Sequence, residues 1–190
     1  MKHLLPPVLQ GMRHAGVRDE DLLFIIATGT HPRMEPAEYA AILPSEILET
    51  YRVVCHDADA QANLPFLGST ARGTPAHINS DYLAADYRMV IGNIEPHQFQ
   101  GLSGGVKSAA IGLAGAETIN RNHAMMRDAK ARLGEYEANP ARQDVEEIGA
   151  MIGIDFAVNA LLNGEKRIVG AFAGDPVAVM RAGIPEARAL

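Results

Sequence analysis

The stretch LLFIIATGTHPR, residues 22–33, decides the fold. Its first six residues, Leu22 to Ala27, are apolar without a break. A continuous run of that length, as opposed to an alternating one, is the pattern of a strand covered on both faces, as in a parallel sheet flanked by helices. The run stops in Thr28-Gly-Thr-His31-Pro-Arg33. There Gly29 permits a tight turn, and His31 brings a titratable ring to the carboxyl end of the strand.

Further along the chain the same succession recurs. Residues 51–55 read as a strand that ends in His56-Asp57-Ala-Asp59, and residues 87–94 as one that ends at Glu95-Pro96-His97. Between them, residues 66–71 and 75–79 read as a hairpin about Arg72-Gly73, and residues 155–162 and 167–173 as two strands joined by Asn163-Gly-Glu165. Helices are expected from Pro6-Pro7 to Gly16, over 36–43, 107–113, 117–132 and 143–151, and from Asp175-Pro176 onward, where aspartate is the N-cap and proline opens the first turn. Asn139-Pro140 reads as a turn. Strands alternating with helices imply an α/β fold over residues 1–190 as one domain: a layered, largely parallel, Rossmann-like sheet with helices on both faces. Ligands of such sheets bind beyond the carboxyl ends of the strands. Three successive strands ending in His31, His56 and His97 therefore point to a site there.

Composition narrows the function. The chain has 190 residues, 47% hydrophobic and 21% charged, with a formal charge of −6. That charge speaks against a nucleic-acid partner, which calls for a basic field. No apolar run approaches the length that spans a bilayer, so no membrane partner is expected, and the first residues make a poor signal peptide. A single cysteine cannot build a disulfide framework, which fits a cytoplasmic protein.

The loop GLSGGVKS, residues 101–108, resembles a phosphate-gripping Walker A loop with one letter changed, because Val106 stands where glycine should precede the lysine. A β-branched residue disfavours the positive φ of such loops, and Pro96–Gln100 separates the loop from the preceding strand. A triphosphate site is disfavoured. Gly104-Gly105 could still hold a single phosphate at a helix start, or the loop could be a flexible one with Lys107 in solvent. Among the seven histidines, His3 and His14 read as surface residues and His77 as structural. Cys55 and His56 point to opposite faces of a strand, so Cys55 reads as a small buried residue and not a nucleophile. A zinc-hydrolase site built from His31, His97 and His123 stays open, though no metal-ligand spacing motif supports it.

Taken together, IATGTHPRMEP, IGNIEPHQFQGLSGGVKSAAIGLAGAETINRNHAMM and NPARQDVEEIGAMIGIDFAVNALLNGEKRIVGAFAGD resemble the nickel-pincer lactate racemase family over essentially the whole chain. The separations of His31, His97, Lys107 and His123 (66, 10 and 16 residues) are those expected of that family. The resemblance implies a cofactor, the nickel-pincer nucleotide (a pyridinium-3,5-bisthiocarboxylic acid mononucleotide nickel complex), tethered by Lys107 in a loop with Ser103, Gly104 and Gly105. It implies His123 as the nickel ligand, and His31 and His97 as the alternating acid and base of a 2-hydroxy acid racemase. Cofactor-synthesis enzymes and a second copy of the chain are its expected partners. The family's Asp-x-Thr-Arg-Pro segment and its C-terminal domain do not fall within the 190 residues, so a truncated or partial member with little turnover is expected. Ala110-Ile111-Gly112 replaces a Leu-Pro-Gly-like turn, so the helix after Lys107 should be shaped differently. The alternative is a non-catalytic domain that binds a mononucleotide or a metal.

Overall fold

The computed structural model describes residues 3–190. Helix α1, Leu5–His14, carries proline in its first turn and gives way to Gly16 at φ 84°. Strand β1, Leu23–Ile26, pairs in parallel with β2, Arg52–Cys55, across helix α2, Ser45–Thr50. The hairpin of β3, Phe66–Ser69, and β4, Pro75–His77, turns at Gly73 (φ 77°) and leads to the one-turn helix α3, Ser80–Leu83, capped by the Asn79 side chain. Strand β5, Met89–Ile94, is followed by β6, Pro96–His97, and β7, Gly101–Leu102, and then by helices α4, Lys107–Ala110, and α5, Ala116–His123. Helix α6, Pro140–Ile152, precedes strands β8, Phe156–Leu162, and β9, Ile168–Gly174, and helix α7, Pro176–Ala189, closes the chain.

The α/β class expected from the alternation holds. The sheet, however, is divided and mixed. Strands β1 and β2 form one parallel pair, and β5 and β8 form another. The pairings β3–β4, β6–β7 and β8–β9 are antiparallel. A short Asn163-based turn is the reason for the last of these: the Asn163 side chain accepts from the backbone N–H groups of Glu165 and Arg167, and a connection that short can only reverse the chain.

Several expected element bounds shift. Residues 36–41 form a 3-10 helix, and a separate α2 begins after Pro44. The helix expected over 117–132 ends at His123; a 3-10 turn runs to Arg127, and Asp128 then bends the chain by accepting from the Lys130 N–H. Asn139-Pro140 is not a turn but the start of α6, with the Asn139 carboxamide accepting from Arg142 N–H and Gly153, left-handed at φ 70°, ending the helix.

The main core lies between β5–β8 and the helices α4, α6 and α7, where Ile94, Val106, Ile148, Leu161 and Met180 are buried together. Each large side chain fully buried there contributes about 1.5–3 kcal/mol relative to exposure. Val106, the unexpected letter before Lys107, is one of these core residues. It seats on Gly149 of α6, where an added Cβ would lie 2.5–2.7 Å from its side-chain carbons. Its φ is −63°, so no glycine is needed at that position. The lysine loop is thus fastened to α6 by packing.

Candidate active site

The carboxyl ends of β1 and β5 open into one cleft of about 660 Å³, lined by His31, His97, Ser103, Gly104, Lys107 and His123 among others. His31 sits on the loop after β1, held by its N–H on the Thr28 carbonyl at 3.0 Å and by Gly29 N–H on the Gly112 carbonyl at 2.9 Å. The second contact ties this loop to the end of α4, and it requires close approach: a Cβ on Gly112 would lie 2.8 Å from that of Ala27. His97 is presented by the β6–β7 turn, Lys107 by the first residue of α4 and His123 by the last residue of α5. Four residues far apart in sequence thus share one cavity.

The ring of Phe99 stands edge-on between two of them, with centroids 4.9 Å from His97 and 4.8 Å from His123. The hydrogen bonds then fix which ring nitrogen is free. Asn122 donates through Nδ2 to the Ala141 carbonyl and to the Asp144 carboxylate, both acceptors, which settles the orientation of its amide. Its Oδ1 accepts from Gln100 Nε2 at 2.5 Å and lies 3.3 Å from His123 Nδ1. An amide oxygen cannot donate, so His123 Nδ1 carries the proton, and Nε2 is left with its lone pair as a possible metal ligand. For His97 the polarity is reversed. The Gln100 backbone N–H donates to His97 Nδ1 at 3.2 Å, which puts the proton of the neutral ring on Nε2.

The cleft is electropositive and partly dry. Burial, then the neighbouring Lys107, His123 and Arg142, hold His97 down at about 4. Burial first and then Arg142 lower Lys107 to about 8. His123 is lowered by burial first and Lys107 second. Near neutral pH both half-buried histidines are therefore neutral, and the amine of Lys107 is within reach of its free-base form. Arg142 is itself fully buried. It donates to the carbonyls of Leu102 and Gly104 and pairs with Glu146, which holds the glycine loop in place.

Not every residue expected at the site arrives there. His56 is buried and structural: Nε2 donates to the Ala114 carbonyl at 2.9 Å, and Nδ1 faces Asn79 Nδ2. His77, read as structural, donates to the Leu64 carbonyl, and Cys55, read as a small buried residue, is buried. Gly105 does not line the cleft; its N–H donates to Asn159 Oδ1 at 2.8 Å, and a Cβ on it would strike Met180. Ser103 lines the cleft, but its hydroxyl donates to the Asn93 carbonyl and accepts from Glu95 N–H. Helix α4 is a single turn whose first N–H bonds the Gly104 carbonyl, so it leaves little for a phosphate. Among the described residues no three His, Cys, Asp or Glu side chains are grouped to hold a metal. The braces Phe99, Gln100, Asn122 and Arg142 were missed in the sequence. Only Phe99 and Gln100, two and three residues from His97, had a local signal.

In α/β sheets a cleft at the carboxyl ends of the strands is the usual place for a small ligand. Residues 1–134 match the lactate racemase N-terminal domain family, and the chain belongs to that family. It is 31% identical to a lactate racemase of Thermoanaerobacterium thermosaccharolyticum over 172 residues, 90% of this chain and 40% of that protein. It is 29% identical to a lactate racemase of Lactiplantibacillus plantarum over 183 residues, 95% of this chain and 43% of that one. The structure of the lactate racemase apoprotein from T. thermosaccharolyticum superposes with a TM-score of 0.90 at 30% identity, covering 96% of this chain and 44% of that one. A Thermotoga maritima protein shares the fold at a TM-score of 0.73 and 20% identity, over 95% of this chain and 48% of that one. The chain thus spans less than half the length of these relatives.

Proposed function

We propose that the chain is the cofactor-holding, catalytic part of a racemase or epimerase acting on lactate or a similar 2-hydroxy acid. The observation that carries this reading is the gathering of His31, His97, Lys107 and His123 in one cleft, in a member of the lactate racemase N-terminal domain family.

The donor set suits a nickel-pincer nucleotide. A metal that arrives already held by its organic ligand needs one protein donor, and His123 Nε2 offers a lone pair whose direction is fixed through Asn122. A lysine at about 8 is a competent amine for covalent attachment. When bound, the group supplies a hydride acceptor and donor for the carbon that bears the hydroxyl. The chain's own residues handle protons. His31, on the exposed loop, and His97, on the β6–β7 turn, take and return the hydroxyl proton from opposite sides of a planar 2-keto acid. For His97 to act as the base its Nδ1 lone pair must be free to accept the proton, so the Gln100 contact opens or the ring turns over during the cycle. Ser103 and Gly104 shape the cleft wall beside Lys107 and so bound the cofactor's space. The setting is cytoplasmic, with cofactor-synthesis enzymes as partners.

Co-expression with those enzymes should add mass to a peptide containing Lys107 and bring about one nickel per chain (one site of one donor set). Lys107→Ala should abolish the added mass. His123→Ala should lose nickel and keep the mass. Equal nickel in the wild type and His123→Ala would overturn the ligand assignment. A second reading is a domain that holds the nucleotide without turnover. Lactate racemisation by the loaded chain separates the two.

A further inference from the structure

Asp144, on the second turn of α6, is fully buried, and the proposed reaction makes no use of it. Among the described residues no cation pairs with its carboxylate; Arg142, on the same helix, pairs with Glu146 instead. A buried carboxylate without a counter-charge is costly unless its oxygens are hydrogen-bonded. Here each oxygen has one neutral donor. Thr70 Oγ1 donates to Oδ1 at 2.6 Å, and Asn122 Nδ2 donates to Oδ2 at 2.9 Å. Thr70 is itself held, since its Oγ1 accepts from Thr74 N–H at 3.1 Å. The same hairpin turn docks on α6 a second time, through Ala71 N–H on Glu147 Oε1 at 2.7 Å.

Asn122 carries this hold toward the cleft. One of its amide hydrogens goes to Asp144 and the other to the Ala141 carbonyl, which leaves Oδ1 for His123 Nδ1 and Gln100 Nε2. A carboxylate only accepts, so the polarity runs one way along the line of Asp144, Asn122 and His123. Carboxylates orient metal-ligating histidines in this manner, and here an amide stands between acid and ring. Gln100 extends the line to the second histidine. Its buried side chain donates to Asn122, and its backbone N–H donates to His97 Nδ1. Buried hydrogen-bond chains of this kind strengthen one another and act as a unit. Asp144, Asn122 and Gln100 are not part of the cleft wall, so they reach a bound group only through the histidines.

We propose that Asp144 is a positioning residue for the reaction: through the Asn122 amide it holds the His123 ring in the Nδ1–H form with Nε2 free to bind metal, and through Asn122 and Gln100 it steadies the turn that carries His97. The proposal rests on His123 as the nickel donor of the loaded enzyme. It assigns a function to a costly buried acid, and it makes the hairpin β3–β4 and helix α6 the rigid backing of a ligand carried on α5.

Ring tautomers are read from two-bond proton–nitrogen correlations on the isotope-labelled chain without cofactor, at mildly alkaline pH where both rings are neutral. Wild type should show His123 as Nδ1–H and His97 as Nε2–H. Asp144→Leu should lower the ratio of Nδ1–H to Nε2–H at His123 by roughly fivefold or more, the bias of about one hydrogen bond. Asp144→Asn should stay close to wild type, because asparagine still turns an oxygen to Asn122 while its Nδ2 meets a spare lone pair of Thr70 Oγ1. Gln100→Leu should release His97 and leave His123 as it was. Circular dichroism verifies each fold, and Asp144→Ala is read in place of Asp144→Leu where the latter does not fold. His123 in the Nε2–H form in wild type overturns the proposal, as does an unchanged ratio in the folded Asp144→Leu protein. In the cofactor-loaded enzyme Asp144→Leu should release nickel to a chelator roughly tenfold faster and keep the mass added at Lys107. A shifted tautomer with unchanged nickel release would show that His123 is not the donor, which overturns the functional reading and the positioning role with it. An unchanged tautomer overturns the role of Asp144 alone.

Discussion

At the scale of single residues, the cleft is controlled by which groups are neutral. Lys107 at about 8 should react with a trace amine-acylating reagent with half-maximal rate near that pH, below the about 10.4 of an unperturbed lysine side chain. Mass spectrometry of the labelled peptides measures this; a midpoint for Lys107 shared with the other lysines would refute the dry, electropositive cleft. Lys107→Met should raise His97 from about 4, since Lys107 is second only to burial in lowering it. It should not restore the full value, because burial remains. The sign for stability follows from the depressed value. In the unfolded chain His97 takes a proton near 6.5, while the folded chain refuses it down to about 4. Its contribution is therefore complete above pH 6.5 and is lost as pH falls between 6.5 and about 4. Denaturant midpoints for wild type and His97→Phe should converge across that window; parallel curves would speak against it.

At the scale of elements, apolar runs and capping pairs were legible, and long-range partners were not. The runs at Leu22, Tyr51, Tyr87, Asp155 and Arg167 each became a strand within two residues, because a buried strand writes its environment directly into consecutive letters. Asp175-Pro176 was readable as a helix start, yet the equivalent Asn139-Pro140 passed as a turn, and α2 and α3 are too short to show a helical period. His31, His97, Lys107 and His123 were selected together only through the family resemblance, whereas composition alone would have sent His56 to the same place. What separates His56 is its bond to the Ala114 carbonyl, 58 residues away, which no local pattern encodes. Val106 is the same kind of case. It looks wrong against a nucleotide-loop template and makes sense only against Gly149 of α6. That contact predicts a change of sign. In wild type, Gly149→Ala should destabilise by about 1–3 kcal/mol through overpacking. With Val106→Ala already present the clash is gone, and the same substitution should stabilise by up to about 1 kcal/mol through helix propensity. Thermal unfolding of the four proteins of this cycle measures the coupling; additive effects would mean that α4 and α6 do not meet at this pair.

At the scale of the whole molecule, the free outer edge of β9 is where a second copy is expected to pair. Among the described residues β9 pairs only with β8. Its Ile168 and Val169 are exposed, 39% and 53%, the second on the face away from the sheet's covering helix. An apolar seven-residue edge with no proline is the kind that natural proteins otherwise block with a charge. Two copies can pair such edges antiparallel about a two-fold axis, which satisfies backbone groups on both and closes the assembly. The net charge of −6 opposes that approach at low ionic strength, and salt relieves the repulsion. We therefore expect a dimer whose fraction rises with protein concentration and with added salt, read as weight-average mass by light scattering. Val169→Lys places a charge on the edge of each copy and should return the protein to one chain per particle, without lowering the unfolding midpoint, because the side chain is in solvent. A single-chain mass at every concentration and salt level would sink the expectation. A dimer that survives Val169→Lys would place the contact away from the β9 edge.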